Sequence, residues 1–273
     1  GNPIVGPAPG LKNFWLNEGH SFGITAAGGA GWQLAEWIVD GEPTGDMMGV
    51  DPRRFGPYAT RGYLREKNEE AYANVFTTHY PDEERSAARP LKTAPCYDRM
   101  KALGAVFGSV YGWERPNWFM PTLDYSLSAE ELNQEDPEKV FLNKNHSKAL
   151  EDGRIVEKNS FRRSNYFDHV GNECKHVNEN VGLLDMSAFA KCIVKGPGAE
   201  EWLEYIFANK MPQTIGRISL VHMLSLNGGV RSEFTVYKTG PQSYYLVSAG
   251  AFETHDHDYL FKLAPKNGTV SIQ

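Results

Sequence analysis

Hydrophobic and polar positions along this chain change period several times, and the changes mark its elements. Asn13-Phe14-Trp15-Leu16-Asn17 is a short apolar run that predicts a strand. The stretch Gly19-His20-Ser21-Phe22-Gly23-Ile24-Thr25-Ala26-Ala27-Gly28-Gly29-Ala30-Gly31 follows and reads as a glycine-rich turn. Trp32-Gln33-Leu34-Ala35-Glu36-Trp37-Ile38-Val39-Asp40 predicts a helix that stops at Gly41. Residues 63–72 are helical in propensity, with charges on an exposed face. Residues 96–104 predict a short helix and residues 106–111 a strand. The octet Gly112-Trp113-Glu114-Arg115-Pro116-Asn117-Trp118-Phe119 then reads as a packed aromatic turn. Its adjacent Glu114 and Arg115 read as a structural ion pair, the alternative being a catalytic role.

Residues 122–158 are polar and acidic and predict a surface insertion. Within it, Ser128 and Glu131 suit the capping box of a short helix, and His146 reads as solvated. Beyond it, Phe167, Val170, Cys174 and Val177 stand at helical spacing and predict a helix over residues 166–180. A turn at Gly182-Leu183-Leu184-Asp185-Met186-Ser187-Ala188-Phe189 leads to a strand over 191–195. Gly196-Pro197-Gly198-Ala199 opens a helix over 200–208, with Pro at a helix-entry position. Strands over 219–226 and 230–237 flank Asn227-Gly228-Gly229, an Asn-Gly hairpin signal. The turn Thr239-Gly240-Pro241 precedes a strand over 244–248, and residues 253–263 predict a helix. Val270-Ser271-Ile272-Gln273 looks like the start of one more strand.

Composition narrows the function classes. The chain has 273 residues, 41% hydrophobic and 23% charged, an ordinary globular balance with room for two domains. A net charge of −6 with no basic block argues against nucleic acid and anionic membranes as partners. No apolar run approaches a membrane span. Cys96, Cys174 and Cys192 are odd in number and far apart, which fits a reducing compartment and no metal motif. His255 and His257 are separated by one residue, so on a helix they point apart. No nucleophile elbow supports a Ser/His/Asp hydrolase.

A strand, a glycine-rich turn and a helix suit an electron-rich ligand, because glycine admits a close approach and the first helical turn leaves N–H groups unpaired. The same residues read equally as a tight strand-to-helix connection. Gly29-Ala30-Gly31 starts like a dinucleotide fingerprint, but Leu34 stands where the third glycine belongs, so this is not a pyrophosphate loop.

Gly19-His20-Ser21-Phe22-Gly23-Ile24-Thr25 before a Gly/Ala-rich helix resembles the last flavin-contacting segment of the glycine and D-amino-acid oxidase class of flavoproteins. Asp51-Pro52-Arg53-Arg54-Phe55, Tyr80-Pro81-Asp82-Glu83-Glu84-Arg85, Ala88-Arg89-Pro90 and the octet at 112–119 occur in this order. Together they are similar to the central domain of the dimethylglycine and sarcosine dehydrogenase family. Gly182-Leu183-Leu184-Asp185-Met186-Ser187, Gly196-Pro197-Gly198-Ala199 and Leu226-Asn227-Gly228-Gly229-Val230 resemble the aminomethyltransferase of the glycine cleavage system, a folate-binding family. Phe161-Arg162-Arg163-Ser164-Asn165-Tyr166-Phe167 and Phe207-Ala208-Asn209-Lys210-Met211-Pro212 bring the match closer to the dehydrogenases.

The resemblance implies a mixed fold, α/β and α+β. Residues 1–49 would be the tail of an FAD-dependent oxidoreductase domain and 50–121 its central domain. Residues 122–158 would be the insertion, and 159–273 the start of an aminomethyltransferase-like folate domain. The chain then reads as an internal piece of a longer protein. Implied cofactors are FAD and tetrahydrofolate. The implied partners are a methylated amine substrate and an electron-transfer flavoprotein, in bacterial cytoplasm or mitochondrial matrix. His20, Ser21, Phe22, Gly23, Ile24 and Thr25 would bind the flavin, with His20 a local contact. Glu233, Phe234 and Thr235 would bind folate. Glu233 would also act catalytically, holding the pterin where the stand-alone enzymes usually carry an Asp pair. From the residues alone, Glu233 is an exposed strand charge. Ser248-Ala249-Gly250 is a further departure, standing where those enzymes usually have an Asn. A non-catalytic regulatory protein of the same architecture is the alternative reading, since the family includes a phosphatase regulatory subunit.

Overall fold

A computed structural model describes residues 2–120, 161 and 163–273. The expectations for Ser128, Glu131, His146 and the rest of the insertion lie outside these residues. In chain order the elements are β1 (Ile4–Pro7), β2 (Trp15–Glu18), α1 (Gly23–Asp40), α2 (Arg61–Ala73), α3 (Tyr97–Ala102), β3 (Ala105–Val110) and β4 (Trp113–Phe119). They continue with α4 (Phe167–Glu179), β5 (Ala190–Lys195), α5 (Ala199–Ile206), β6 (Phe207–Ala208), β7 (Ile218–Leu224) and β8 (Val230–Gly240). The last are β9 (Ser243–Ser248), α6 (Glu253–Leu263) and β10 (Ser271–Ile272). The fold is mixed α and β. Two compact units divide it, Gly1–Asn68 with Phe189–Gln273, and Glu69–Ala188.

The first unit is centred on an antiparallel sheet. Among the described residues its strand order is β10-β5-β9-β8-β7-β6. One face of the sheet is closed. Val194, Val221, Met223, Phe234, Val236, Tyr244 and Leu246 pack there with Trp202 and Leu203 of α5 and Leu260 of α6. Period-two alternation sends Glu233, Thr235 and Tyr237 of β8 to the other face. Strand β8 runs through Gly240, with the turn at Pro241-Gln242, because Gly240 still pairs with Ser243. The expected turn at 239–241 therefore moves one residue on.

In the same unit, β1 and β2 form a hairpin under α1. Gly6 is where the two approach. A side chain there would meet the Trp37 ring at 2.9 Å, so only glycine fits. Trp15 meets Trp37 edge-on at 6.1 Å and the Arg53 guanidinium lies 5.6 Å over the same ring. Gly41 closes α1 in the left-handed conformation, its N–H donating to the Trp37 carbonyl. The glycine-rich stretch is not a turn, however. Helix α1 starts at Gly23 and runs through Gly28, Gly29 and Gly31. No glycine there is required by packing, and Ala26, Ala27 and Ala30 between them favour the helix.

The second unit corrects two readings. The aromatic octet is not a turn but the strand β4, paired antiparallel with β3. Its alternation buries Glu114 and exposes Arg115, so these neighbours do not pair with each other. Glu114 instead takes a two-point contact from Arg89, Nε to Oε1 at 2.9 Å and Nη2 to Oε2 at 2.6 Å. Glu114 raises the Arg89 pKa further by holding its charged form. Helix α4 packs on β4 through the ring of His169 on Trp118 at 5.3 Å, and Glu173 accepts from the Phe119 N–H at 2.9 Å. Glu84 accepts from the Ser109 N–H at 3.1 Å.

Candidate functional site

Two stretches of the first unit carry the residues expected to act. The first is the entry to α1. His20 lies beside it, with Nε2 2.7 Å from Asn17 Oδ1. The ring nitrogen Nδ1 is buried without a hydrogen-bond partner. Phe22 is the residue before the helix and makes no side-chain cap, while Ala26 N–H donates to its carbonyl at 3.0 Å. Ser21, Phe22, Gly23, Ile24 and Thr25 are all exposed, Phe22 at 71% and Ile24 at 100%. Among the described residues a Cβ at Gly23 would meet nothing within 4 Å outside its own helix. The arrangement is a helix start with uncapped N–H groups, an open glycine and apolar side chains facing out. It fits the edge of a flat, electron-rich ring, which the first-turn amides can meet as donors. Farther along α1, Trp32 (67% exposed), Ile38 and Val39 remain open while Trp37 is buried. The apolar residues of this helix thus divide between a covered edge and an uncovered one.

The second stretch is β8. Glu233 is directly opposite His222 on β7, and Glu233 Oε2 lies 3.3 Å from His222 Nε2. The Glu233 side chain is 58% exposed, so the carboxylate is available to a ligand on that face. Thr235 shares the face, opposite Leu220 and Val247. Phe234 does not. It is 2% exposed and packs on Phe207 at 4.9 Å inside the core. Neighbours on a strand point to opposite faces, so one ligand cannot touch the side chains of Glu233, Phe234 and Thr235 together. Phe234 is corrected to a core residue that holds the strand. Ser248 is likewise buried on the closed face.

Behind Glu233 lies a polar network that local sequence patterns do not announce. The Ser232 hydroxyl donates to Asp256 Oδ2 at 2.9 Å, and both residues are buried. His255 Nδ1 is 3.3 Å from Asp256 Oδ1, and its Nε2 is 3.3 Å from the Arg231 guanidinium. Arg231 also sits 4.4 Å over the Tyr259 ring and donates to Glu42 at 3.0 Å. His257 faces elsewhere, against the Phe261 ring at 4.3 Å. Burial pushes the Cys192 thiol up to about 12, with Asp256 adding to the effect. A second charged chain ties Asp51 to Arg53 at 2.6 Å and Arg53 to Asp258 at 2.9 Å. Burial alone would raise the Asp258 carboxyl, but hydrogen bonds from Lys262 and Arg53 hold it below its ordinary value. The motif at 51–55 is therefore structural: Arg53 is buried in ion pairs and Arg54 donates to the carbonyls of Asn2 and Pro3.

Comparison with known proteins adds the following. The family described as GCVT N-terminal domain matches residues 96–273, and the FAD dependent oxidoreductase central domain matches residues 40–94. Mitochondrial dimethylglycine dehydrogenase of Mus musculus is 34% identical over 99% of this chain and 28% of its own length. Mitochondrial sarcosine dehydrogenase of Homo sapiens is 28% identical over 94% of this chain and 29% of its own. The mitochondrial pyruvate dehydrogenase phosphatase regulatory subunit of Mus musculus is 30% identical over 99% of the chain and 28% of its own. The chain thus spans less than a third of the length of these relatives. Among the described residues no helix is long and apolar enough to cross a membrane.

Proposed function

The chain belongs to the GCVT N-terminal domain family and, with its FAD dependent oxidoreductase central domain, to the dimethylglycine and sarcosine dehydrogenase family; from that premise we propose that it is part of a flavin-dependent N-demethylating enzyme. The substrate in this reading is dimethylglycine or sarcosine, and the one-carbon unit passes to tetrahydrofolate. The observation that carries it is one chain that matches the FAD dependent oxidoreductase central domain and then the GCVT N-terminal domain, and aligns with those relatives over nearly its whole length.

When bound, FAD would supply the acceptor for a hydride from the carbon next to the amine nitrogen. The backbone N–H groups at Ser21 to Thr25 would face the ring edge on which negative charge grows, a fixed donor set that needs no rearrangement. Glu233 would accept hydrogen bonds from pterin N–H groups, and its charge would steady a cationic one-carbon unit nearby. His222 stands beside it, its Nε2 3.3 Å from the carboxylate, and pairs with that charge when the imidazole is protonated. Thr235 adds a hydroxyl on the same face. The location proposed is the mitochondrial matrix or a bacterial cytoplasm, with an electron-transfer flavoprotein as the candidate oxidant.

The second reading is a regulatory protein of the same architecture, favoured by the 30% identity to a phosphatase regulatory subunit. Mixing the parent protein with dimethylglycine or sarcosine under anaerobic conditions separates the two. The enzyme reading expects a bound yellow chromophore that bleaches on adding the amine. A parent protein that carries no flavin, or flavin that no methylated amine bleaches, supports the regulator.

A further inference from the structure

Glu42 follows the end of α1, in the stretch that matches the oxidoreductase central domain. Its two carboxylate oxygens hold the loop of the β7–β8 hairpin and the start of β8. Oε2 accepts from the Leu226 N–H at 2.9 Å and Oε1 accepts from the Arg231 guanidinium at 3.0 Å, 189 residues away along the chain. Glu42 and Arg231 are both largely buried, with side chains 11% and 14% exposed. Two residues past Arg231 on the same strand is Glu233, and between them Ser232 is fixed by Asp256. The hairpin loop is closed on itself through Ser225, whose N–H donates to the Gly229 carbonyl, whose carbonyl accepts from the Gly228 N–H and whose hydroxyl accepts from the Gly229 N–H. Glycines at 228 and 229 keep the loop backbone permissive, so a contact from outside it narrows the conformations it can take.

We propose that Glu42 is a positioning residue for the folate strand: the flavin-side stretch clamps the β7–β8 hairpin through Glu42 and so sets the place of Glu233. The proposal rests on the folate reading of Glu233. Its chemistry suits a clamp. A carboxylate with one backbone and one guanidinium donor is held by two charge-assisted bonds, which fix distance and direction at once. Asp258, paired with Arg53, makes a second tie between the same two family regions, so the strap is anchored at more than one point.

Hydrogen exchange on the 273-residue chain tests the clamp without any ligand. Glu42→Ala should speed exchange at Leu226 and across residues 224–231 by about tenfold or more, with β5 and β9 at wild-type rates. Glu42→Gln keeps an acceptor for the Leu226 N–H and loses the charge facing Arg231. It carries the same test if Glu42→Ala does not fold, and should loosen residues 230–231 while Leu226 stays slow. Tetrahydrofolate titration of the parent protein tests the coupling. Glu42→Ala and Arg231→Ala should each weaken binding about five- to tenfold, and the double variant by clearly less than the two effects combined, because the two residues share the Glu42–Arg231 pair. A loss of stability alone would not produce that non-additive pattern in affinity. Wild-type exchange in the hairpin, or single effects that add in the double variant, would overturn the proposal. Unchanged affinity in Glu233→Ala would instead remove the folate reading, and the exchange data would still decide the clamp.

Discussion

Residues 20–25 and strand β8 carry the candidate chemistry on opposite kinds of support. The flavin stretch has uncapped N–H groups, exposed Phe22 and Ile24, and open space at Gly23. Glu233 projects from a strand whose other face is filled by Phe234 and Val236, whose neighbour Ser232 is bonded to Asp256, and whose hairpin is gripped by Glu42. Among the described residues the first site is all edge. The second is braced from behind within this chain. The lesson is that a site's support can be read from what its neighbours pack against, before any ligand is known.

The largest effect expected from this difference concerns FAD. The glycine-rich stretch is not a pyrophosphate loop, since Leu34 stands where the third glycine belongs. The chain alone should therefore show little or no FAD binding, and the parent protein should bind it stoichiometrically. In the parent, Gly23→Val should lower flavin content. Among the described residues a Cβ there meets nothing within 4 Å outside its own helix, so the packing of this chain should be unchanged. Tight FAD binding by the 273-residue chain would erase the contrast between the sites.

Core support comes next. Phe234→Ala should destabilise the first unit by about 3–5 kcal/mol, the usual cost of deleting a buried aromatic ring. Val39→Lys, on the exposed edge of α1, should change stability by no more than about 0.5 kcal/mol. Denaturant midpoints of the two variants give the comparison directly, and similar losses would mean that α1 is supported as fully as β8.

A smaller effect follows from Cys192 behind the sheet. Its thiol is raised from 9.0 to about 12 in the folded chain. The folded state therefore holds this proton more tightly than the unfolded state does. The stabilisation is complete below about pH 9 and is lost as pH rises through about 12. Between those limits wild type should lose stability with pH faster than Cys192→Ala. Parallel slopes would place the thiol in contact with water.

What the sequence discloses divides along the same line. Helix α4 and the β7–β8 hairpin are legible because their signals are local, a 3.6-residue period in one and Asn-Gly in the other. The motif at 19–25 is legible as a resemblance, but the helix through its glycines is not, because glycine argues against helix on propensity alone. Glu233 is visible as an exposed charge. Its separation from Phe234 follows from the alternation of any strand, once the strand is placed. Glu114 and Arg89 are 25 residues apart, and Glu42 and Arg231 are 189 apart, so no window of sequence joins them. Ion pairs of this kind are set by tertiary packing, and only the fold displays them.

The account's central claim is that the outer face of β8 binds folate through Glu233. Calorimetric titration of the parent protein and its Glu233→Ala variant with tetrahydrofolate tests it most directly. Removing a charged acceptor from the pterin should cost about 1.5–3 kcal/mol, a loss of roughly ten- to a hundred-fold in affinity. Equal affinities in the two proteins would contradict the claim and return Glu233 to an exposed charge on a strand.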